Sequence, residues 1–309
     1  MTVEQTLKVI RCKFCQGEAV VRFGSYKGIP RYWCKSCRRK FAGNDALPGR
    51  KIPPERVGAA VAMYYKGLSY KDIQEQMGQM YGRAPSKSTL YAWVTQYSKL
   101  AGEQLDRQRI PTGTTWVADE MVLRIDGKNV WLFDIMDAKS RYFLASYVTP
   151  NRTIGDVQVV FRQALERAEK PPRFIVTDRL KAYPEGIESI FGAEARHVQS
   201  GGIRAKINNN LVERLQGTVR ERTKVMRGLQ NRETAQAFLD GWRVDYNYFR
   251  PHESLGNRTP ASVLGIESPL KDWGQVARLE DKTLRTDTAL KAEPSYLRDR
   301  TFRVRRGGI

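Results

Sequence analysis

Residues Thr114 to Val148 read TTWVADEMVLRIDGKNVWLFDIMDAKSRYFLASYV. Trp116 to Ile125 and Asn129 to Met136 are apolar, β-branched and aromatic runs. Asp126-Gly127 between them is a strong hairpin pair, since both residues tolerate a positive φ. A turn at Asp137 to Ser140 leads into Arg141 to Val148 as a third strand. Downstream, Thr153 to Glu169 has helical period, with Val157, Val160, Phe161, Leu165 and Ala168 on one face. Pro171-Pro172 ends that helix, and Phe174 to Thr177 reads as a short buried strand stopping at Asp178. A helix around Arg179 to Phe191, a strand near Arg196 to Val198 and a helix from about Ile207 to Lys224 follow.

Three antiparallel strands, then helix, strand, helix, strand, helix, is the order of an α/β ribonuclease-H-like core with a mixed five-stranded sheet. Three carboxylates stand out within it: Asp119 in WVADE, Asp178 in FIVTD, and Glu213 in NNNLVERLQGTVR, with 34 residues between the last two. Asn209 lies four residues before Glu213 and Arg220 seven after, so on a helix the three share a face. This set resembles the acid triad of DDE transposases and retroviral-type integrases, close to those of prokaryotic insertion sequences. DRLKAYP from Asp178 and YNYFRPH from Tyr246, on through Thr259-Pro260, also look like segments of that family. The resemblance spans roughly residues 112–265.

The resemblance implies DNA cleavage and strand transfer with two Mg2+ or Mn2+ ions. Asp119 would bridge them, and Asp178 and Glu213 would each complete one site. Arg220 would steady donor phosphate, and Asn209 would place the backbone or Glu213. The chemistry agrees, because hard divalent cations take oxygen ligands and two of them can serve both attacking and leaving oxygens of a phosphodiester. No serine–histidine pair or spare cysteine offers a protein nucleophile. Glu120 follows Asp119 on a strand, points to the opposite face and is a poor ligand on that count. Asp126, Asp137, Asp156, Glu166 and Glu221 read as turn formers or solvated acids. Asp134 is ambiguous, lying mid-strand in an apolar run. His252 is expected to pack or hydrogen-bond locally, while His197 could approach the acids.

The four cysteines all lie near the start. Cys12, Cys15, Cys34 and Cys37 form C-x2-C, 18 residues, C-x2-C, the spacing of a tetrahedral sulfur-only zinc site. Two disulfides would need an oxidising compartment that nothing else in the chain supports. Ala19 to Gly24 and Pro30 to Trp33, joined at Lys27-Gly28, read as the hairpin of a zinc ribbon holding one structural zinc ion. Arg38, Arg39 and Lys40 follow the last cysteine and are candidate phosphate contacts.

After the Gly/Pro-rich break Leu47 to Pro54 the period becomes helical. Val57, Val61 and Tyr64-Tyr65 mark one helix, and Ser69 caps a second over Tyr70 to about Met80. Ser86 or Ser88 starts a third carrying Leu90, Trp93, Val94 and Tyr97. GLSYKDIQEQMGQMYGRAPSKSTLYAWV resembles the helix-turn-helix of many transposases and regulators. That likeness would put Lys87, Ser88, Thr89 and Tyr91 toward the major groove and leave Leu90 and Trp93 in the core. A last helix, Arg232 to Tyr248, carries Ala235, Phe238, Leu239, Trp242 and Tyr246 as a packing stripe.

Across 309 residues, 53 Lys and Arg face 33 Asp and Glu, a net charge of +20. Residues 1–110 hold 20 basic against 8 acidic side chains, residues 111–280 hold 25 against 21, and residues 281–309 hold 8 against 4. The excess sits in front of a nearly balanced core and points to polyanion partners. The expected organisation is a zinc ribbon (1–46), a helix-turn-helix and linker (47–110), a catalytic core (111–265) and a basic extension (266–309). No apolar run approaches the ~18 residues needed to cross a bilayer, and Met1 to Ile10 has no signal-peptide pattern. The expected partner is therefore double-stranded DNA, as element ends and target, with no membrane. The expected location is a prokaryotic cytoplasm at the nucleoid, and synapsis of two ends calls for a homodimer or more. A silent DNA-binding regulator and a nuclease that cuts without joining are the competing readings.

Overall fold

The computed structural model describes residues 10–47, 50–106, 109–201, 209–226, 229 and 231–279. The compact unit Met1–Arg278 holds the architecture. The basic tail from Asp281, with Arg298 to Arg306, and the expected start of a helix at Ile207 lie outside the described residues.

The N-terminal strands β1 (Val20–Tyr26), β2 (Ile29–Cys34) and β3 (Lys40–Ala42) form an antiparallel sheet in the order β1-β2-β3. Lys27 and Gly28 take φ of 49° and 78°, the paired positive values of a type I′ hairpin turn. The short β3 was not expected, since three residues with an exposed lysine carry no readable alternation. The apolar centre is small: Cys12, Cys34 and Phe41, with Phe14, Val20, Tyr32 and Cys37 around them.

Three helices follow, α1 (Pro54–Tyr65), α2 (Tyr70–Tyr81) and α3 (Lys87–Leu105). Ser69 and Asp72 form a reciprocal capping box at the start of α2, and Gly82 ends it at φ 66°. Ser86 caps α3 by accepting the Thr89 N–H. Val57, Val61, Ile73, Met77, Leu90, Val94 and Tyr97 are buried between the three helices and what they rest on. Trp93, expected in the core, is only half-buried, because α3 turns Leu90, Val94 and Tyr97 inward and leaves Trp93 at the edge of that stripe.

The core sheet comprises β4 (Thr115–Ile125), β5 (Lys128–Asp137), β6 (Phe143–Thr149), β7 (Phe174–Thr177) and β8 (Arg196–Gln199), in the order β6-β5-β4-β7-β8. β4, β5 and β6 pair antiparallel, while β7 runs parallel to β4 and β8 parallel to β7. This mixed sheet has the ribonuclease-H-like arrangement. β6 starts two residues later than expected, because Arg141 is drawn into the preceding turn at φ 60°.

Helices α4 (Ile154–Arg167) and α5 (Ala182–Phe191) cover one face of the sheet, where Trp116 and Phe133 meet Phe191 and Tyr183. Helices α6 (Asn210–Val225) and α7 (Arg232–Val244) cover the other, where Phe143 meets Trp242. In α4 it is Ala164, not Leu165, that is fully buried beside Phe161. The expected stripe on α7 is buried along its whole length, but past Val244 the helix widens into a π turn, Asp245–Phe249. Two short helices follow, α8 (Pro260–Val263) and α9 (Trp273–Arg278).

The helix-turn-helix is joined to the core by tight contacts. A Cβ on Gly241 of α7 would stand 2.0 Å from the Tyr65 hydroxyl and 2.6 Å from Ser98, so only glycine lets α7 approach α1 and α3 this closely. Past residue 265 the chain returns to α1. There Trp273 stacks on Tyr65 at 5.0 Å and donates its indole N–H to Asp245 at 2.8 Å, and Arg278 pairs with Glu55.

Candidate active site and metal centre

β4 and β7 pair as far as Val117 with Val176. Two residues on, Asp119 is level with Asp178, the first residue after β7 stops at Thr177. The Asp178 side chain accepts the Leu180 N–H at 2.9 Å. This local turn is why α5 begins at Ala182 and not at Arg179.

Asp119 and Glu120 point to opposite faces, as strand alternation requires, yet Glu120 is not removed from the acids. One carboxylate oxygen each from Asp119, Glu120 and Asp178 lies within 4.8 Å of the others. The reason is that β7 ends at this level. Asp178 sits beyond the strand end, in the notch beside β4, where side chains from both faces can reach it. Glu120 is held there by two partners: the Tyr183 hydroxyl donates to Oε2 at 3.0 Å, and Arg152 bonds Oε1 at 3.2 Å. Arg152 in turn lies over the Trp131 ring at 3.8 Å. Alternation alone hid this network: Tyr183 stands out only as part of the DRLKAYP segment, with no partner indicated, and nothing local in the sequence announces Arg152.

Crowding is felt in the protonation of the group. Burial, then the negative charges of Glu120, Asp178 and Glu213, push the Asp119 carboxyl up to about 7. Burial and Asp178 also raise Glu120, against the opposing bonds from Tyr183 and Arg152. Glu213 lies in the first turn of α6, half-buried, and is not one of the three residues within 4.8 Å of each other. Its charge nevertheless adds to the rise at Asp119. Asn209 is the N-terminal cap residue of α6, buried, and its carbonyl accepts the Glu213 N–H at 3.1 Å. Arg220 is exposed two turns further along.

Directly opposite Asp119 on β5 is Asp134. It is wholly buried, and among the described residues neither carboxylate oxygen has a hydrogen-bond partner; burial and then Asp119 hold its proton on well above the usual range. His197, on β8, meets the Thr177 hydroxyl at 2.9 Å, and that hydroxyl donates to the Asp178 carbonyl. His252 packs on Tyr246, edge to face at 4.3 Å, and its Nε2 meets the Tyr246 carbonyl.

Residues 113–252 match the family model described as a DDE domain. The core is similar to a DDE domain. The match takes in Asp119, Glu120, Asp178 and Glu213, and leaves out the ribbon, α1 to α3 and α9. Similar solved structures include the HTLV-2 integrase catalytic core domain in complex with magnesium. It is 17% identical with a TM-score of 0.40, over 51% of this chain and 99% of that one. The catalytic core domain of BIV integrase is 14% identical with a TM-score of 0.37, over 49% of this chain and 93% of that one. The simian T-cell lymphotropic virus intasome is 12% identical with a TM-score of 0.36, over 72% and 76%. No curated protein matches the chain.

Ahead of the DDE domain, the four cysteine sulfurs gather within 4.8 Å of one another. Cys12 and Cys37 are 3.5 Å apart at sulfur, and Cys15 and Cys34 are 3.6 Å apart. Four thiolates about 2.3 Å from a tetrahedral zinc stand about 3.8 Å from each other, so the set fits such an ion. The residue after each C-x2-C, Gln16 and Arg38, has a φ near 60°, the same turn in both knuckles. Arg38, Arg39 and Lys40 are exposed, with Arg39 over Phe14 and Lys40 over Phe23.

At the start of α3, Lys87, Ser88 and Tyr91 are exposed, Tyr91 at 47%. Thr89 is half-buried and engaged with Ser86, its N–H and hydroxyl both bonded to the cap oxygen. Between the ribbon and the helix-turn-helix runs a cleft of about 1020 Å3, lined by Lys27, Arg31, Lys40, Arg50, Arg56 and Arg83 among others. Apart from Lys40, these cations were not singled out from sequence, because they come together only across the two folds. Among the described residues no helix is long and apolar enough to cross a membrane.

Proposed function

We propose that the protein is a DNA transposase that binds the ends of a mobile element, cuts them and joins them to target DNA. The observation that carries this reading is the clustering of Asp119, Glu120 and Asp178 at the end of β7, inside a DDE domain. Three acids this close repel one another unless a cation sits among them, which is the environment a hard metal ion stabilises. Asp119, Asp178 and Glu213 are the proposed ligands of two Mg2+ or Mn2+ ions, with Glu120, held by Tyr183 and Arg152, adding a further negative charge beside them. Such ions supply charge neutralisation on the phosphate and an activated oxygen nucleophile.

The side chains do the rest. Arg220, exposed on the helix that carries Glu213, steadies donor phosphate. Asn209 anchors the first turn of α6 through its carbonyl and so sets the height of Glu213. With all four cysteines gathered in the ribbon, no thiol is left to attack, so water opens the first phosphodiester. The 3′-hydroxyl released then attacks a target phosphodiester, and its new bond to phosphorus replaces the one that breaks. The ribbon, built on one structural zinc ion, contacts phosphates through Arg38, Arg39 and Lys40. Helix α3 enters the major groove with Lys87, Ser88, Thr89 and Tyr91 leading. Two ends have to be held together, so the working form is a homodimer or larger.

The test is magnesium-dependent cleavage of labelled duplexes cut from DNA flanking the coding sequence. Wild-type protein is expected to release a 3′-hydroxyl at one position, and Asp119→Asn to bind the same duplex without cutting it. Undiminished cleavage by Asp119→Asn would contradict the assignment.

A further inference from the structure

Arg222 lies on α6 nine residues past Glu213, and only 4% of it is exposed. Among the described residues, none of its three guanidinium nitrogens has a hydrogen-bond partner. Arg243, equally buried, shows the ordinary solution: it donates to a carboxylate on two sides. A methionine would fill the volume around Arg222 without stranding five N–H donors in a dry site. What holds the guanidinium is aromatic: it lies over the Tyr64 ring of α1 at 4.2 Å and is 5.8 Å from the Phe238 ring of α7.

Tyr64 does not end the contact. Its ring stacks on Tyr70, the first residue of α2, at 5.2 Å with the planes 15° apart. Tyr70 meets Tyr91 of α3 edge to face at 6.5 Å. Tyr91 is exposed on the turn of α3 assigned to DNA. An unbroken chain of rings therefore runs from the DNA-reading helix to a cation on the helix that carries Glu213.

We propose that Arg222 is a positioning residue that couples DNA binding by the helix-turn-helix to the placement of Glu213. This rests on the transposase reading above. The nine residues between Arg222 and Glu213 form a rigid lever about 14 Å long, so a small tilt of Tyr64 against the guanidinium moves the first turn of α6. The planar cation matters because it takes its orientation from ring faces, Tyr64 nearest, and among the described residues has no hydrogen-bond partner.

The test uses the full chain with Arg222→Met, Arg222→Lys, Tyr64→Leu, Tyr64→Phe and the double variant Tyr64→Leu/Arg222→Met. In the DNA-free protein, amide hydrogen exchange in residues 210–225 is expected to rise about tenfold in Tyr64→Leu and in Arg222→Met. The double variant should be no faster than either single, and Tyr64→Phe, which keeps the ring face, should match wild type. With the tightest-bound flanking duplex, Arg222→Met should keep its affinity within about twofold while cleavage falls about tenfold. Arg222→Lys, which keeps charge but not the plane, should fall between.

Additive effects of the two substitutions on exchange would overturn the proposal. So would wild-type exchange in Tyr64→Leu, or a loss of cleavage matched by an equal loss of affinity. If Arg222→Met fails to fold, the Tyr64→Leu and Tyr64→Phe pair decides alone. If wild-type protein cuts no duplex, the transposase reading fails, and the exchange measurements still decide whether the rings hold α6.

Discussion

Arg243 of α7 donates to both oxygens of Asp106 at the end of α3, Nη1 to Oδ1 at 2.9 Å and Nη2 to Oδ2 at 2.5 Å. The pair closes the junction between the helix-turn-helix and the DDE domain, with Arg167 adding a contact to Asp106 at 3.7 Å. Burial pushes the Asp106 carboxyl up, but Arg243 and Arg167 together override it and hold it below its usual value. A depressed pKa means stability that is present above the unfolded value of about 3.9 and is lost as pH falls through the lower folded value. Asp106→Asn should cost about 3–5 kcal/mol at neutral pH, because it leaves the buried Arg243 without its charge partner. Denaturant melts of the two proteins should converge as pH drops below 4; a constant gap would show that the charge is not what holds the junction.

Glu120 is the residue whose place in the site strand alternation concealed. Glu120→Gln removes one of three crowded negative charges, so in metal-free buffer the variant should melt at a higher temperature than wild type. Added Mn2+ should then stabilise it less, with affinity reduced about 10-fold, as when a group orienting metal ligands is lost. Calorimetric Mn2+ titration checks both. Equal Mn2+ affinity in the two proteins would place Glu120 outside the metal site.

Two glycines in helices should respond in opposite directions. A Cβ on Gly58 of α1 would stand 2.4 Å from the backbone of Gly274, whereas one on Gly102 of α3 meets nothing within 4 Å. Gly58→Ala should lose about 1–3 kcal/mol by prising α9 from α1, and Gly102→Ala should gain about 0.5–1 kcal/mol by narrowing the unfolded ensemble. Thermal melts of both variants read the difference. A neutral Gly58→Ala would mean that α9 is free to leave α1.

The ribbon has too small an apolar centre to stand alone, so the proposed zinc ion is what would hold it. Chelation, or Cys34→Ser, should release zinc and open residues 12–46 to protease while the DDE domain melts as before. A ribbon that survives chelation would contradict the sulfur-only zinc site.

Much of this was readable from local chemistry. Asp126-Gly127 set the β4–β5 hairpin, Ser69 and Ser86 set the helix starts, and the cysteine spacing set the ribbon, since each acts within a few residues of itself. Asp119 and Asp178 stand out because one falls within a strand and the other just after one, in segments that resemble DDE transposases; that they lie level with each other depends on β4 pairing with β7. What stayed hidden depends on distant segments meeting. Glu120 reaches the site because β7 stops short, Asp134 is buried opposite Asp119 on β5, and α9 finds α1 through a glycine-to-glycine approach. Arg222 reads as an ordinary basic residue on a polar helix until Tyr64 arrives from α1, far away in sequence.

The most direct measurement is joining of a labelled element-end duplex to supercoiled plasmid in the presence of Mg2+. The wild-type protein should convert the plasmid to labelled, covalently joined product, and Asp119→Asn, Asp178→Asn and Glu213→Gln should each abolish this while still shifting the duplex in a binding gel. Cleaved duplex with no joined product would make the protein a nuclease. Joining that persists in any of the three variants would contradict the proposed acid triad.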